Sequence, residues 1–408
     1  MKLIRYIIAL LVVYTYVYSP ALQIMSFGLD KLIFIWAVLY FLFTKESKMY
    51  LKLFVNDYKI LAIVALFSIC IFLIHFGADG LLLYDVFLLI EPIPVACALY
   101  ILIVKHYDLD IRNVILFTSG IAGLITVYLL MHQDMATYLK TSVLRVPEIV
   151  TTYFSFRGFG FSDGLLNSYP TAQGLILGLL LVGFFKTRSI YYLLVIPIFI
   201  SVIVNARTGI APILFGIILF FFSKSSGRNK FWAVFGIGVV VTLFIFILNN
   251  SSLSSEAEES LSWGRTSLDI ISAFLNGEEA ENMEGLTGTM VFFPENLLDW
   301  LVGTGQNVFS NNYYGKTSDI GYIIRLLYGG LIYLTITLFY MVYICRKVIR
   351  IDKAIGLLLL LSFMVFNYKT DFLTIAPCSR LFFLVYVAII CMEFDSRLIG
   401  SEYNRLNS

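Results

Sequence analysis

Residues 251–270 read SSLSSEAEESLSWGRTSLDI and residues 297–330 read LLDWLVGTGQNVFSNNYYGKTSDIGYIIRLLYGG. Both belong to the one long polar interval, from about 249 to 330, in a chain that is otherwise one apolar run after another. The tail of that interval, G-T-G-Q-N and then S-D-I-G-Y-I-I-R-L-L-Y-G-G-L, passes without a break into another hydrophobic stretch. A broad wet loop that ends on membrane-buried charge and glycine is where a membrane protein would carry chemistry. The remainder of the chain reads as the scaffold that holds it.

The apolar runs decide the fold class. Of the 408 residues, 59% are hydrophobic, 16% aromatic and only 14% charged, whereas a soluble domain is about half apolar and a quarter charged. The runs are roughly 17–25 residues long, the length a helix needs to cross a bilayer. They show no strand alternation, and lipid admits only helices or closed barrels because every backbone polar group must find a partner. The expectation is an all-α, polytopic transmembrane helical bundle of about twelve spans, at 4–21, 24–44, 60–76, 83–104, 113–131, 166–185, 189–205, 207–223, 231–249, 320–344, 354–372 and 380–396. All 408 residues form a single integral membrane domain with two large outer loops, 132–165 and 250–319. The first run follows Lys2 and Arg5 without a small-residue cleavage site, so it is a retained first helix. Five cysteines show no CxxC or Cys/His spacing, so neither a zinc site nor a disulfide framework is expected. No other metal or cofactor is expected, and nothing in the composition suggests nucleic acid.

Orientation follows from the side on which cations gather. With both termini in the cytoplasm, nineteen of the 29 Lys and Arg fall on the inner side. The ten others are Lys31, Lys140, Arg145, Arg157, Arg207, Arg265, Lys316, Arg325, Lys369 and Arg380. Charge near hydrocarbon is costly, so some of these cations are expected to meet an anion. Arg207 sits in the tight turn V-N-A-R-T-G between two spans, at a helix start whose free N–H groups add to its charge; it either binds an anion or snorkels to lipid phosphate. Arg157 stands in F-S-F-R-G-F-G-F, where it is either a ligand group or part of an aromatic belt. Arg265 lies in the first turn of an expected amphipathic helix, S-W-G-R-T-S-L-D-I-I-S-A-F-L, with an acidic, glycine-rich flap following at 277–288. Asp319 opens the next span as helix cap or as base. Lys369 and Asp371 are expected to pair, and Glu91-Pro92 to mark a kink with a buried carboxylate. The three histidines are scattered at helix ends without catalytic spacing.

Four features carry a family resemblance: the V-N-A-R-T-G turn, the R-G-F-G-F segment, the long loop with W-G-R-T-S-L-D and L-V-G-T-G-Q-N-V-F, and S-D-I-G-Y-I-I-R-L-L-Y-G-G-L after it. By these motifs, from Arg157 to Leu331, and by topology throughout, the chain resembles the bacterial O-antigen polymerases of the Wzy type, relatives of the O-antigen ligases. The resemblance implies a GT-C-like glycosyltransferase architecture in the bacterial inner (cytoplasmic) membrane, active at the periplasmic face. It implies transfer of an undecaprenyl-pyrophosphate-linked glycan onto the next lipid-linked repeat unit. The partners implied are those lipid-linked oligosaccharides, membrane lipid and a polysaccharide chain-length regulator. Arg207 and Arg265, with Arg157 next, would stabilise the pyrophosphate leaving group without a metal, and Asp319 would be the base where the ligases carry a histidine. Arg325, Lys369, Arg380 and Tyr322 would hold the second substrate. The alternatives are an O-antigen ligase, a lipid-linked oligosaccharide flippase, or a scaffold that binds lipid phosphate.

Overall fold

The computed structural model describes residues 2–75, 81–145, 160–162, 168–185, 191–205, 207–222, 290–309, 316–374 and 377–406. Among them the chain is helical with no β-strand; one isolated bridge joins Leu22 and Leu144. The helices are α1 (Lys2–Tyr18), α2 (Asp30–Phe43), α3 (Lys45–Lys52), α4 (Val55–Ile74), α5 (Leu81–Ile90), α6 (Pro92–Tyr100), α7 (Ile111–Met131) and α8 (Gln133–Tyr138). They continue with α9 (Ser168–Leu181), α10 (Tyr191–Ile203), α11 (Ile210–Phe222), α12 (Leu297–Val302), α13 (Gly321–Ile349), α14 (Lys353–Lys369) and α15 (Cys378–Leu406). Helix occupies eleven of the twelve expected spans; the stretch 231–249 lies outside the described residues.

Among the described residues, four stretches are long and apolar enough to cross a membrane: Val55–Ile74, Leu81–His106, Ile111–Met131 and Gly321–Ile349. Shorter apolar helices run over Leu193–Ile203 and Ile210–Phe222. The chain is therefore a helical protein built for a membrane. Its surface agrees: Leu11 and Ile4 on α1, Leu42 and Phe43 on α2, and Leu66 and Leu73 on α4 are all exposed, an apolar exterior that water would not tolerate. The interior is formed by α6, α9 and the first half of α15, whose residues Leu381–Ile389 are buried all round. A helix apolar on every face belongs in the centre of such a bundle.

Three local expectations change. The second span begins only at Asp30, because residues 19–29 turn and Ser19 takes a left-handed φ of 40° while its hydroxyl donates to Asp30 at 2.5 Å. The first outer loop is helical at its start, through α8 and a π-turn at Leu139–Val143. The span after the large loop is not continuous either. Helix α13 breaks at Gly330, where φ is 71° and ψ is −172°, into a short half bearing Arg325 and a long half bearing Tyr333. The Glu91-Pro92 kink falls where expected, with Pro92 opening α6. The amphipathic helix and acidic flap expected at 265–288 lie outside the described residues.

The break in α13 has a cause in the sequence far from it. The carbonyls at the end of a helix lose their intrahelical partners, and in lipid an unpaired carbonyl is costly. Here the G-T-G segment supplies them: Thr304 N–H donates to the Leu327 carbonyl at 2.7 Å and Gly305 N–H to the Tyr328 carbonyl at 3.0 Å. The Thr304 hydroxyl adds a second bond to Leu327 at 2.9 Å. Close approach needs glycine on both sides: a Cβ at Gly330 would overlap the Leu301 backbone, and one at Gly303 the Tyr328 carbonyl.

We expect Gly330→Ala to lower stability by about 2–5 kcal/mol, combining left-handed strain with steric overlap. Gly183 has a φ of 85° but open space around it, so Gly183→Ala should cost only about 1 kcal/mol of strain. Thermal unfolding in detergent compares the two; equal losses would mean that 301–305 is not packed into the break.

Candidate functional site

The described turn residues at 19–29, 204–205, 207–209, 290–309, 316–320, 370–374 and 377 share one end of the bundle, called here the loop end. Ser168 and Cys378 link two of the helix starts there, the Cys378 N–H donating to Ser168 Oγ at 3.0 Å. The expected V-N-A-R-T-G turn closes as a 3-10 turn over Arg207–Gly209, with Thr208 and Thr171 hydroxyls 3.2 Å apart. The Arg207 side chain, Arg157 and Arg265 lie outside the described residues. The segment that follows Arg157 is anchored nevertheless. Tyr14 donates its hydroxyl to the Gly160 carbonyl, and Ser162 donates to the Tyr18 carbonyl at 3.0 Å.

At the start of α13, Ser318 does the ordering expected of Asp319. Ser318 Oγ donates to the Met290 carbonyl at 2.8 Å and accepts from Ile320 N–H at 3.2 Å, while Ser318 N–H donates to the Val308 carbonyl at 3.1 Å. Three segments are tied together by one small residue. The N-cap position is Ile320, and no side-chain bond caps the helix. Asp319 is thus released from capping: its side chain is 40% exposed, and its carboxylate stands 4.0 Å from Lys369 Nζ. Lys369 pairs with Asp319 rather than with Asp371. Tyr322 donates its hydroxyl to the Met364 carbonyl at 3.0 Å, which joins α13 to α14.

Asp371 reaches inward instead. The glycine at 321 lets the start of α13 lie against the 367–371 turn, where a Cβ would meet Asn367 and the Asp371 backbone. From that turn Asp371 accepts from Arg325 Nε at 2.8 Å. Arg325 Nη1 also donates to the Tyr333 hydroxyl at 2.9 Å and stands 3.5 Å from Asp85; Tyr333 in turn donates to Asp85. Arg325, Asp85 and Asp371 are all at least 97% buried. Arg325 Nη2 has no hydrogen-bond partner among the described residues.

Arg380 is similarly engaged. It donates to Asp30, stands 3.4 Å from Glu91, and shares both carboxylates with Lys31, which is 3.0 Å from Asp30 and 2.7 Å from Glu91. At the opposite end Lys347 pairs with the fully buried Asp57 at 2.7 Å, and Lys105 with Asp395 at 2.9 Å. Each buried carboxylate among the described residues therefore meets a cation. This is the condition for burying charge at all.

The consequence for the expected substrate-holding set is specific. Arg325 and Arg380 are brought to the loop end, but their charges are already balanced by carboxylates inside the bundle. Lys369 and Asp319 are the expected site residues that reach the surface there. Asp85, Asp30 and Asp57 escaped the sequence reading, although Asp85 is an isolated carboxylate within an apolar run, L-L-L-Y-D-V-F-L-L-I. Such a residue inside a span implies a buried cation nearby. No group of three or more His, Cys, Asp or Glu side chains among the described residues is arranged to hold a metal ion. No family model, no curated protein and no solved structure matches the chain.

Removing one partner of the buried cluster leaves charge unpaired, so Arg325→Met should cost about 3–5 kcal/mol. Adding Asp371→Leu to Arg325→Met should recover part of that loss, because it removes one stranded carboxylate. Thermal unfolding of the single and double variants reads the difference; no recovery would mean that Arg325 and Asp371 are not coupled.

Proposed function

We propose that the chain is a lipid-linked oligosaccharide polymerase of the O-antigen type, with twelve membrane spans and a GT-C-like architecture. It would transfer a growing glycan from undecaprenyl pyrophosphate to the next lipid-linked repeat unit at the outer face of the bacterial inner membrane. The observation that carries this reading is convergence. The turn bearing Arg207, the docked G-T-G segment and the S-D-I-G-Y start of α13 share the loop end of the bundle. They belong to three of the four features behind the family resemblance, of which W-G-R-T-S-L-D lies outside the described residues; in the fourth, R-G-F-G-F, Gly160 is held to α1 by Tyr14.

The chemistry asked of the site is modest. Cleaving a sugar–pyrophosphate bond builds negative charge on the leaving group, which guanidinium groups can grip in bidentate fashion. Arg207, Arg265 and Arg157 take that role without a metal. Asp319, exposed and not engaged in capping, takes the proton from the acceptor hydroxyl. Lys369 beside it meets the second lipid pyrophosphate.

A second reading, a lipid-linked oligosaccharide flippase, is favoured by the buried Asp85–Arg325–Asp371 cluster, since ionisable groups within a membrane bundle often mark a translocation path. Purified protein given a synthetic lipid-pyrophosphate repeat unit separates the readings. We expect a ladder of longer glycans, unchanged by chelator and reduced about 100-fold or more in Arg207→Ala and Arg265→Ala. No ladder from folded wild type would overturn the polymerase. Product on added lipid A core would then identify a ligase, and movement of the lipid across vesicles without any product would identify the flippase.

A further inference from the structure

A cleft of about 150 Å³ opens at the loop end, above the buried ion cluster, lined by Tyr84, Asn307, Phe309, Ile324, Thr370 and Asp371 among others. Its chemistry is not that of a phosphate site. Asp371 is the one charged side chain in its lining among the described residues. Behind Asp371 stand Arg325 and Asp85, two carboxylates to one guanidinium. The nearby Lys369 is matched by Asp319. An entering phosphate would face a carboxylate in a poorly screened setting, which repels it.

The remaining lining is what an uncharged polyol needs. Tyr84 and Phe309, 48% and 55% exposed, both line the cleft. Their faces suit the C–H side of a sugar ring, which is apolar while its rim is hydroxylic. Asp371 is fixed in the lining by Arg325 at 2.8 Å. Thr370 adds a hydroxyl and a backbone carbonyl. Phe309 is itself held: its N–H donates to Asn307 Oδ1 at 3.2 Å, a local turn that sets the ring's place at the cleft mouth.

We propose that this cleft binds a neutral sugar ring of the substrate glycan, and that it excludes the pyrophosphate end. The identification of that ring with the transferred glycan rests on the polymerase reading. Phe309 and Tyr84 are the stacking groups, and Asn307 a positioning residue acting through Phe309.

Saturation-transfer NMR on the purified full chain in detergent tests this with N-acetylglucosamine, galactose and rhamnose as probes, and phosphorus line broadening with inorganic pyrophosphate. At least one sugar should show transfer. The signal should fall about fivefold or more in Phe309→Ala and return in Phe309→Tyr, while pyrophosphate broadening stays the same in all three proteins. No transfer from any sugar, or an unchanged signal in Phe309→Ala, would overturn the proposal. Loss of pyrophosphate broadening in that variant would overturn it as well. A protein that makes no glycan ladder but gives the sugar signal loses the polymerase reading and keeps the cleft. One that makes the ladder with a Phe309-independent signal keeps the reading and loses the cleft.

Discussion

A backbone carbonyl in lipid must be hydrogen-bonded, and much of the loop end depends on how α13 meets that demand where it breaks. The break at Gly330 leaves carbonyls that Thr304 and Gly305 fill, so the polar loop is not merely tethered to the bundle by its ends. It is inserted into a membrane helix. The break gives the loop a fixed seat, and the loop makes the break affordable to a structure in lipid. Val308, Ser318 and Met290 then follow in register, joined by the Ser318 bonds. Asn307 and Phe309 arrive at the cleft because the two residues before Gln306 are locked.

The second constraint is charge. The bundle buries several carboxylates, and each draws in a cation from another element: Arg325 from α13 for Asp85 and Asp371, Arg380 from α15 for Asp30 and Glu91, Lys347 from α13 for Asp57. These pairs join helices far apart in sequence, from 46 residues for Arg325 and Asp371 to 350 for Arg380 and Asp30. Their worth in stability is small or negative against an apolar core, but breaking one is costly. They fix which helices are neighbours. They also sort the cations: an arginine facing two carboxylates has little charge left for a substrate, whereas Lys369 and Asp319 remain partly exposed.

Much of this was legible in the sequence. Apolar runs of spanning length gave the helices, and Glu91-Pro92 gave the kink, because proline cannot continue the preceding turn. The described part of the polar interval falls at the loop end. What was not legible is tertiary. The G-T-G and Y-G-G motifs each read as a local turn, and no spacing rule says that one completes the other across 25 residues. Asp319 looked like a cap because aspartate before a helix commonly is one; no side chain caps α13, and Ser318 orders its start through contacts to two other segments. Lys369 and Asp371 are two residues apart, which suggested a pair, but that spacing at a helix end sends them in different directions. Asp85 could have been found from its isolation in an apolar run, though its partners could not.

The most direct test of the account is hydrogen–deuterium exchange of the detergent-solubilised protein across residues 297–309. If the segment is seated in the break of α13, the Thr304 and Gly305 amides exchange slowly, at rates comparable to the helix around them, and Gly330→Ala accelerates them selectively. Exchange as fast as in an open loop, or insensitivity to Gly330→Ala, would contradict the docking on which the loop end is built.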